Sequence, residues 1–568
     1  MQPAHPRVSL RLLPALVLAP LLLAAVPAPA AIGLDRAAID TRSAAYRRYQ
    51  AWVDAAVAGR PDYGFSASDA AYLYRLSEDD RYCTLAVRLV DEQVAAAEQA
   101  IAEGRRPAVA GDSYLEAGPM IGALALTFDW CASFTDEAQR TRWRAYAERT
   151  LTNIWQPAAA QWGERPFAWT GWGTDNPGNN YYYSFLEATM TWALASDSAP
   201  WLERLRTRLL PALTAYAGAL PGGGSREGTG YGTAQMRLFA LYRLWRDSTG
   251  EDLAAANTHL ADTIRFWVHA TVPTWTQFAP LGDQARTSVP EIYDYHRRLM
   301  LEARALAKDD ASRDLASWWL QHIAVKRMAH GFNYRYDLLR AGSGGHAPAA
   351  LDYFAEGSGR LFARTGWDRD AAWIAFTAGP YVESHAHQDQ GAFLLFRDGW
   401  LAVTENIWTR SGIQQGTEVH NVLRFVRNGT TVAQREGTTS RMTVTRDGAG
   451  GTLHATADLT PAYGGQAAVR SWERRLDFAA DGTVTVGDRY AVADGTRAIF
   501  QVNVPERPVI DGREVRAGAL RLRVLAPARV SVTAHDWHGV DADEFRSGWR
   551  IDIEGEGGEY RVELATGR

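Results

Sequence analysis

Cysteine is almost missing from this chain. Among 568 residues there are two, Cys83 and Cys131. That excludes a small disulfide-stapled fold and any cysteine-rich zinc knuckle. In an oxidising compartment the pair can form one disulfide; two buried thiols on helices are the alternative. Lysine is equally rare: Lys308 and Lys326 stand among 60 basic residues, the rest arginine. Strong charge of either sign is lacking too. The formal net charge is −5, and removing Arg7 and Arg11 with a leader takes it to −7. Such a balance gives no general attraction to nucleic acid or anionic membrane, so a polyanionic ligand would need a local cleft. After residue 30 there is no apolar run of about 18 residues, hence no expected membrane span.

Residues 1–30 read as a secretory leader. Arg7 and Arg11 charge its start, LLPALVLAPLLLAAV follows, and Ala28-Pro29-Ala30 offers small residues for cleavage. The expectation is an exported protein, periplasmic or secreted.

Aromatic residues are plentiful, with 21 Trp and 23 Tyr. Core packing accounts for such an excess, and so does stacking on sugar rings.

Hydrophobic periodicity changes once along the chain. Residues 31–340 carry apolar residues at spacings of three and four, as in CTLAVRLVDEQVAAAEQAI and AQMRLFALYRLW. Breaks such as GRPDYG and LPGGGSREGTG separate these runs and predict helical hairpins. Residues 341–349, AGSGGHAPA, read as a linker. Residues 350–568 hold short, often alternating segments divided by Asn-Gly and Asp-Gly turns, which predicts antiparallel β-sheets. The fold class is therefore a helical domain followed by a β-sandwich or sheet stack.

The densest chemistry lies in Gly379–Gly391, GPYVESHAHQDQG. His385 and His387 are two residues apart, which on a strand puts both rings on one face. Imidazole serves as proton acceptor or metal ligand. Asn179 and Asn180, within DNPGNNYYY, are amides able to hold a carboxylate, or else turn and cap residues. Glu227 and Tyr231 sit in GGGSREGTGYG, where a helix start would favour a phenolate. No GK[ST] follows, so this is no P-loop. Glu405 and His420 come later and would make, with His387, a two-histidine, one-carboxylate metal site.

In this order the residues resemble the heparinase II/III-like polysaccharide lyases, whose relatives include alginate and oligoalginate lyases. The carriers are the Asn pair, S-x-E-G-x-x-Y, H-x-H-x-D-Q ahead of GAFLLF and GWLAV, a later His-Asn, ALALTFDW, and Gly282-Asp283 in FAPLGDQ. The resemblance implies an incomplete (α/α) toroid followed by stacked antiparallel sheets. It implies that Tyr231 and His385 are catalytic and that Asn179 or Asn180 neutralises a uronate carboxylate. It makes His387 and His420 ligands of a structural Zn2+. The family's metal-binding acid falls on Thr404 here, with Glu405 one residue later, so a bulge would have to turn Glu405 inward. Trp169, Trp172 and Trp408 are candidate stacking platforms, and Glu227 and Gln388 candidate polar contacts.

The implied reaction is β-elimination on an acidic polysaccharide or oligosaccharide, leaving a 4,5-unsaturated uronate. Tyr231 would protonate O4, and His385 or Tyr231 itself would remove the C5 proton, according to which ring faces are involved. Two rival readings stand beside it. One is a glycoside hydrolase using Glu227, Asp283 or Asp389. The other is a glycan-binding protein without catalysis.

Overall fold

The computed structural model describes residues 31–230, 235–284, 289–325, 331–448 and 450–566. Among the described residues, twelve α-helices precede the β-region. They are α1 (Ala44–Val57), α2 (Ala67–Ser77), α3 (Asp80–Ala102), α4 (Ala117–Trp130), α5 (Glu137–Trp155) and α6 (Asn180–Ser196). They continue with α7 (Ala199–Arg204), α8 (Leu210–Gly218), α9 (Gln235–Thr249), α10 (His259–Ala270), α11 (Asp294–Leu306) and α12 (Asp310–His322).

Local chemistry starts many of them. Ser43 caps α1 by accepting from Tyr46 N, and Asp309 caps α12 by accepting from Ser312 N. Capping boxes open α2 (Ser66 with Asp69) and α5 (Asp136 with Gln139). Helices α4 and α6 bury most of their residues, as inner helices must, whereas α3 and α5 keep a polar outer face. The inner helices run parallel. Gly118 N donates to Ser184 Oγ at 2.8 Å, and one turn later Gly122 faces Glu187. A Cβ on Gly118 would lie 2.8 Å from Ser184 Oγ, so only glycine allows this approach. Arg243 of α9 binds Glu302 of α11 at 2.6 and 3.1 Å, and Arg246 then reaches Ala305 O. The N-termini of α4 and α6, and of α9 and α11, thus share an end within each pair. Cys83 of α3 and Cys131, after α4, are joined as a disulfide with Cα atoms 5.4 Å apart.

The change of element type falls between Leu338 and Asp352. The intervening chain lies on α12: a Cβ on Gly345 would be 2.2 Å from Asp314 O, and Gln321 Nε2 donates to Gly344 O. After β1 (Gln161–Trp162) and β2 (Arg165–Pro166), a small hairpin in the helical layer, come β3 (Asp352–Ala355), β4 (Arg360–Arg364), β5 (Trp373–Thr377), β6 (Pro380–Tyr381), β7 (Phe393–Phe396) and β8 (Trp400–Ala402). Strands β3-β4-β5-β7-β8 form one antiparallel sheet in that order.

Strands β4, β5 and β7 are buried at every position. Their alternation is between two apolar cores, not between core and solvent. Phe362, Trp373, Ala375, Leu394 and Phe396 join the helical core. Leu361, Ala363, Ile374, Phe376, Phe393 and Leu395 join the core of the sheet stack. Buried Arg364 and Trp373 then close the seam, donating to the last carbonyls of α10 at His269 and Thr271 over 2.7–3.0 Å. Behind lie an antiparallel five-stranded sheet centred on Thr496–Val504 and an eight-stranded one running from Arg441–Arg446 to Val509–Asp511. No sheet closes into a barrel among the described residues. The architecture is an incomplete (α/α) toroid followed by stacked antiparallel sheets. Among the described residues no helix is long and apolar enough to cross a membrane.

Candidate active site

The stretch Gly379–Gly391 is not a strand at its histidines. Beyond β6 it turns at Glu383–His385, where Ala386 N donates to Glu383 O, and regular pairing resumes only at Phe393. Side chains replace the ladder. Gln390 Oε1 accepts from Gly379 N, and Gln434 binds both backbone groups of Gln390. Gln388 Oε1 accepts from Gln434 N at 3.0 Å, which employs this predicted substrate contact in the framework. Asp389 pairs with buried Arg360 at 3.0 Å. Behind the loop, Arg474, paired with Asp488, donates to Gly391 O and Asn421 O and so ties the histidine segment to His420-Asn421.

The strand-face argument therefore fails, yet the imidazoles still converge, because a carboxylate from the helical layer collects them. Asp283 Oδ2 lies 2.9 Å from His385 Nδ1, and Asp283 Oδ1 lies 2.8 Å from His387 Nε2. Gln415 Nε2 adds bonds to both oxygens at 3.1 and 3.2 Å. These donors overcome a burial effect of opposite sign and hold the Asp283 carboxyl down at about 2. His387 Nδ1 meets His420 Nε2 at 3.1 Å. Burial, with His387 and Arg360 nearby, holds His420 well below the ordinary histidine range. Gly282-Asp283 belongs to the family-like segments of the sequence, which do not by themselves give Asp283 this role. Nothing in the local spacing signals a partner 102 residues away.

Gly282 explains how the loops come so close. Its φ is +70°, and a Cβ there would lie 2.3 Å from Glu227 O and 2.8 Å from His385 O. Thr229 N also donates to Leu281 O at 2.8 Å, and Asp283 N to His385 O at 2.9 Å. The glycine-rich loop 223–230, the loop 281–284 and the histidine turn are thereby one assembly. Tyr231, the predicted catalytic tyrosine, lies outside the described residues.

A second acidic cluster adjoins it. Glu227 is 1 % exposed, and burial, reinforced by Glu383 and Asp283, pushes its carboxyl up to about 8. Glu383 is also raised, by burial first, although Asn176 Nδ2 donates to it at 3.1 Å. The backbone of Asn180 faces the Glu227 carboxyl and opposes its rise. Gly178 leaves room for Glu383 and the Tyr216 hydroxyl, since a Cβ there would be 2.4 and 2.8 Å from them.

The two asparagines divide their roles. Asn179 is the N-cap of α6 and its Oδ1 accepts from Tyr181 N at 2.9 Å. Asn180 is the first helical residue, half-buried, and its side-chain oxygen has no partner among the described residues. Of the predicted platforms, Trp169 donates to Asn153 O and packs on Tyr114 and Phe185, so it serves the core. Trp408 likewise packs against the helical core. Trp172 is 49 % exposed.

The expected zinc ligands are brought together only in part. Thr404 Oγ1 accepts from Asn406 N as the cap of the short helix Glu405–Trp408. Glu405 points at Gly548, where a Cβ would be 1.9 Å from its oxygen, and both carboxylate oxygens lack partners among the described residues. Among the described residues no three His, Cys, Asp or Glu side chains are grouped as a metal site. Of the three expected ligands, His387 and His420 meet and Glu405 is not grouped with them.

No protein-family profile matches the chain, and no curated protein matches it by sequence. Solved structures do. Heparan sulfate lyase HepC of Pedobacter heparinus superposes with a TM-score of 0.59 at 14 % identity, covering 92 % of this chain and 84 % of that one. A heparinase III superposes at 0.60 and 14 %, covering 88 % and 76 %. A second heparinase III gives 0.58 and 13 %, covering 91 % and 83 %. Across nearly its whole described length, this chain has the fold of the heparinase III-type structures.

Proposed function

We propose that the protein is a polysaccharide lyase that cleaves a uronate-containing glycan by β-elimination. The observation that carries this reading is the convergence at Gly282. There the loop leading toward Tyr231 in sequence, the carboxylate Asp283 and the histidine His385 meet within one backbone contact.

Such a reaction needs three roles at one sugar. The Asn180 amide, adjoining the buried acids Glu227 and Glu383, suits the substrate carboxylate and the enolate charge that grows on it as the C5 proton leaves. Asp283, a carboxylate at neutral pH, favours the proton on His385 Nδ1 and so leaves the lone pair on Nε2, the form of a base. The C5–H electrons become the C4=C5 double bond, the C4–O4 bond breaks, and O4 takes a proton, a role assigned to Tyr231 on its family position. If C5–H and O4 lie on one ring face, Tyr231 serves as both base and acid.

The test is a panel of uronic-acid polysaccharides read by ultraviolet absorbance. A conjugated unsaturated product on at least one of them is expected; new reducing ends without absorbance would overturn the reading. That second outcome would favour hydrolysis, for which Glu227 offers a carboxyl held up at about 8 beside Glu383. The earlier hydrolase candidates suit less: Asp283 is engaged by two histidines and Gln415, and Asp389 by Arg360.

A further inference from the structure

The bore of the toroid contains a cavity of about 430 Å3, within the range of small-ligand sites. None of Asn179, Asn180, Glu227, Asp283 or His385 lines it. Its walls come from α2, α4, α6, α9 and α11, which supply most of its charged groups. Asp69 is in the first turn of α2, Glu116 just precedes α4, Arg237 is third in α9 and Arg298 fifth in α11. Glu187 follows Asn180 by seven residues on α6, which puts it about 10 Å down the helix from the candidate clamp.

Two arginines here lack what buried arginines normally have. Arg298 is 8 % exposed and lies over the Tyr336 ring at 3.2 Å, but among the described residues it makes no hydrogen bond or ion pair, and its Nε is buried without a partner. Arg237 faces the same cavity and also has no ion pair among the described residues. By contrast Arg243 is paired with Glu302, and Arg335 lies 3.6 Å from Asp69. A buried guanidinium left unpaired is costly, so an anion is the natural complement. Glu187, which with Glu302 lies near enough to Arg298 to favour its charge, and Glu116 line the same space and make no ion pair among the described residues; carboxylates of this kind accept bonds from hydroxyls. The aromatic side chains Tyr72 and Trp130 also line it. Arginine, carboxylate and aromatic groups around one small cavity match a ligand having one acid group, several hydroxyls and an apolar ring face.

We propose that this bore is a subsite for an acidic sugar, with the sugar carboxylate on Arg298 and Arg237 and its hydroxyls on Glu187, Glu116 and Asp69. The inference deepens the lyase reading by naming where a terminal uronate of the glycan would lodge, but binding is measured without turnover, so the two fail separately. Calorimetric titration with the sodium salts of D-glucuronate, D-galacturonate and D-mannuronate, and with D-glucose, is the experiment. At least one uronate should bind with affinity about tenfold or more above glucose. Arg237→Ala and Arg298→Gln should each weaken it about tenfold or more, while Asn180→Ala leaves it in place. Arg237 is half-buried and makes no ion pair among the described residues, so its variant should fold even if the Arg298 variant does not, as circular dichroism will show. No uronate bound at millimolar concentration, equal binding of glucose, or binding lost with Asn180→Ala but kept in the arginine variants would each overturn the proposal.

Discussion

Asp283 and His385 stand 102 residues apart in the chain, one from the helical layer and one from the sheet layer, and their side chains meet at 2.9 Å. The same carboxylate takes His387 at 2.8 Å, so one acid orients two imidazoles. The arrangement leads to several expected outcomes.

For Asp283 the sign of the pH effect is set by a carboxyl held at about 2 in the folded chain against an ordinary 3.8. Its contribution to stability is present above about pH 4 and is lost as pH falls toward 2, amounting to about 2 kcal/mol. Asp283→Asn should flatten that acid limb of a thermal-melting profile. Since the amide no longer selects the Nδ1–H tautomer of His385, turnover should fall by roughly two decades with a smaller change in KM.

The two asparagines should separate cleanly. Asn179→Ala removes a helix cap and should lower stability by about 1 kcal/mol. Asn180→Ala touches no cap and should leave the melting temperature near that of the parent. Its loss should appear in kcat more than in KM, because its bonds strengthen as charge develops. A stability loss at Asn180 with normal kcat would reverse the assignment.

Tyr231→Phe deletes a single hydroxyl. Turnover on the best glycan of the panel should drop by roughly two to four decades while the fold is retained. His385→Ala should be as damaging if base and acid act on opposite ring faces, and milder if Tyr231 does both jobs. Near-normal activity of Tyr231→Phe would remove the tyrosine from the mechanism.

The Cys83–Cys131 bridge closes a loop of 48 residues. On chain-entropy grounds it contributes about 4 kcal/mol. The doubly substituted Cys83→Ala, Cys131→Ala protein should melt lower, and adding reductant to the parent should reproduce most of the shift. A parent insensitive to reductant after full thiol exposure would show that the bridge carries little of the stability.

Glu405 is pushed up to about 10 by burial, with Asp536 adding to it. Its unfolded carboxyl ionises near 4.5, so the folded state loses stability as pH rises from there toward 10. Glu405→Gln keeps the shape and removes the ionisation. It should raise the melting temperature at pH 8 and change it little at pH 4. An equal effect at both pH values would point to packing instead.

Amino-acid order alone was enough for the architecture, because period and punctuation are local. Spacings of three and four, capping residues and glycine breaks specify the helices, and Asn-Gly and Asp-Gly turns bound the strands. The histidine segment and the asparagine pair also stood out, since polar groups crowded into one loop need no partner to be noticed. The strand-face reading of His385 and His387 failed because that turn is held by Gln390 and Gln434 side chains from beyond its own span. Whether Asn179 or Asn180 faces the substrate depended on where α6 begins, a matter of one residue. The burial of both faces of β4, β5 and β7 needed the helical layer on one side. Asp283 as the partner of two histidines, Glu405 turned to Gly548, and two unpaired arginines in one bore are all contacts across long stretches of chain. Such contacts follow from how packed layers bring loops together, and periodicity along a sequence carries no record of distance across it.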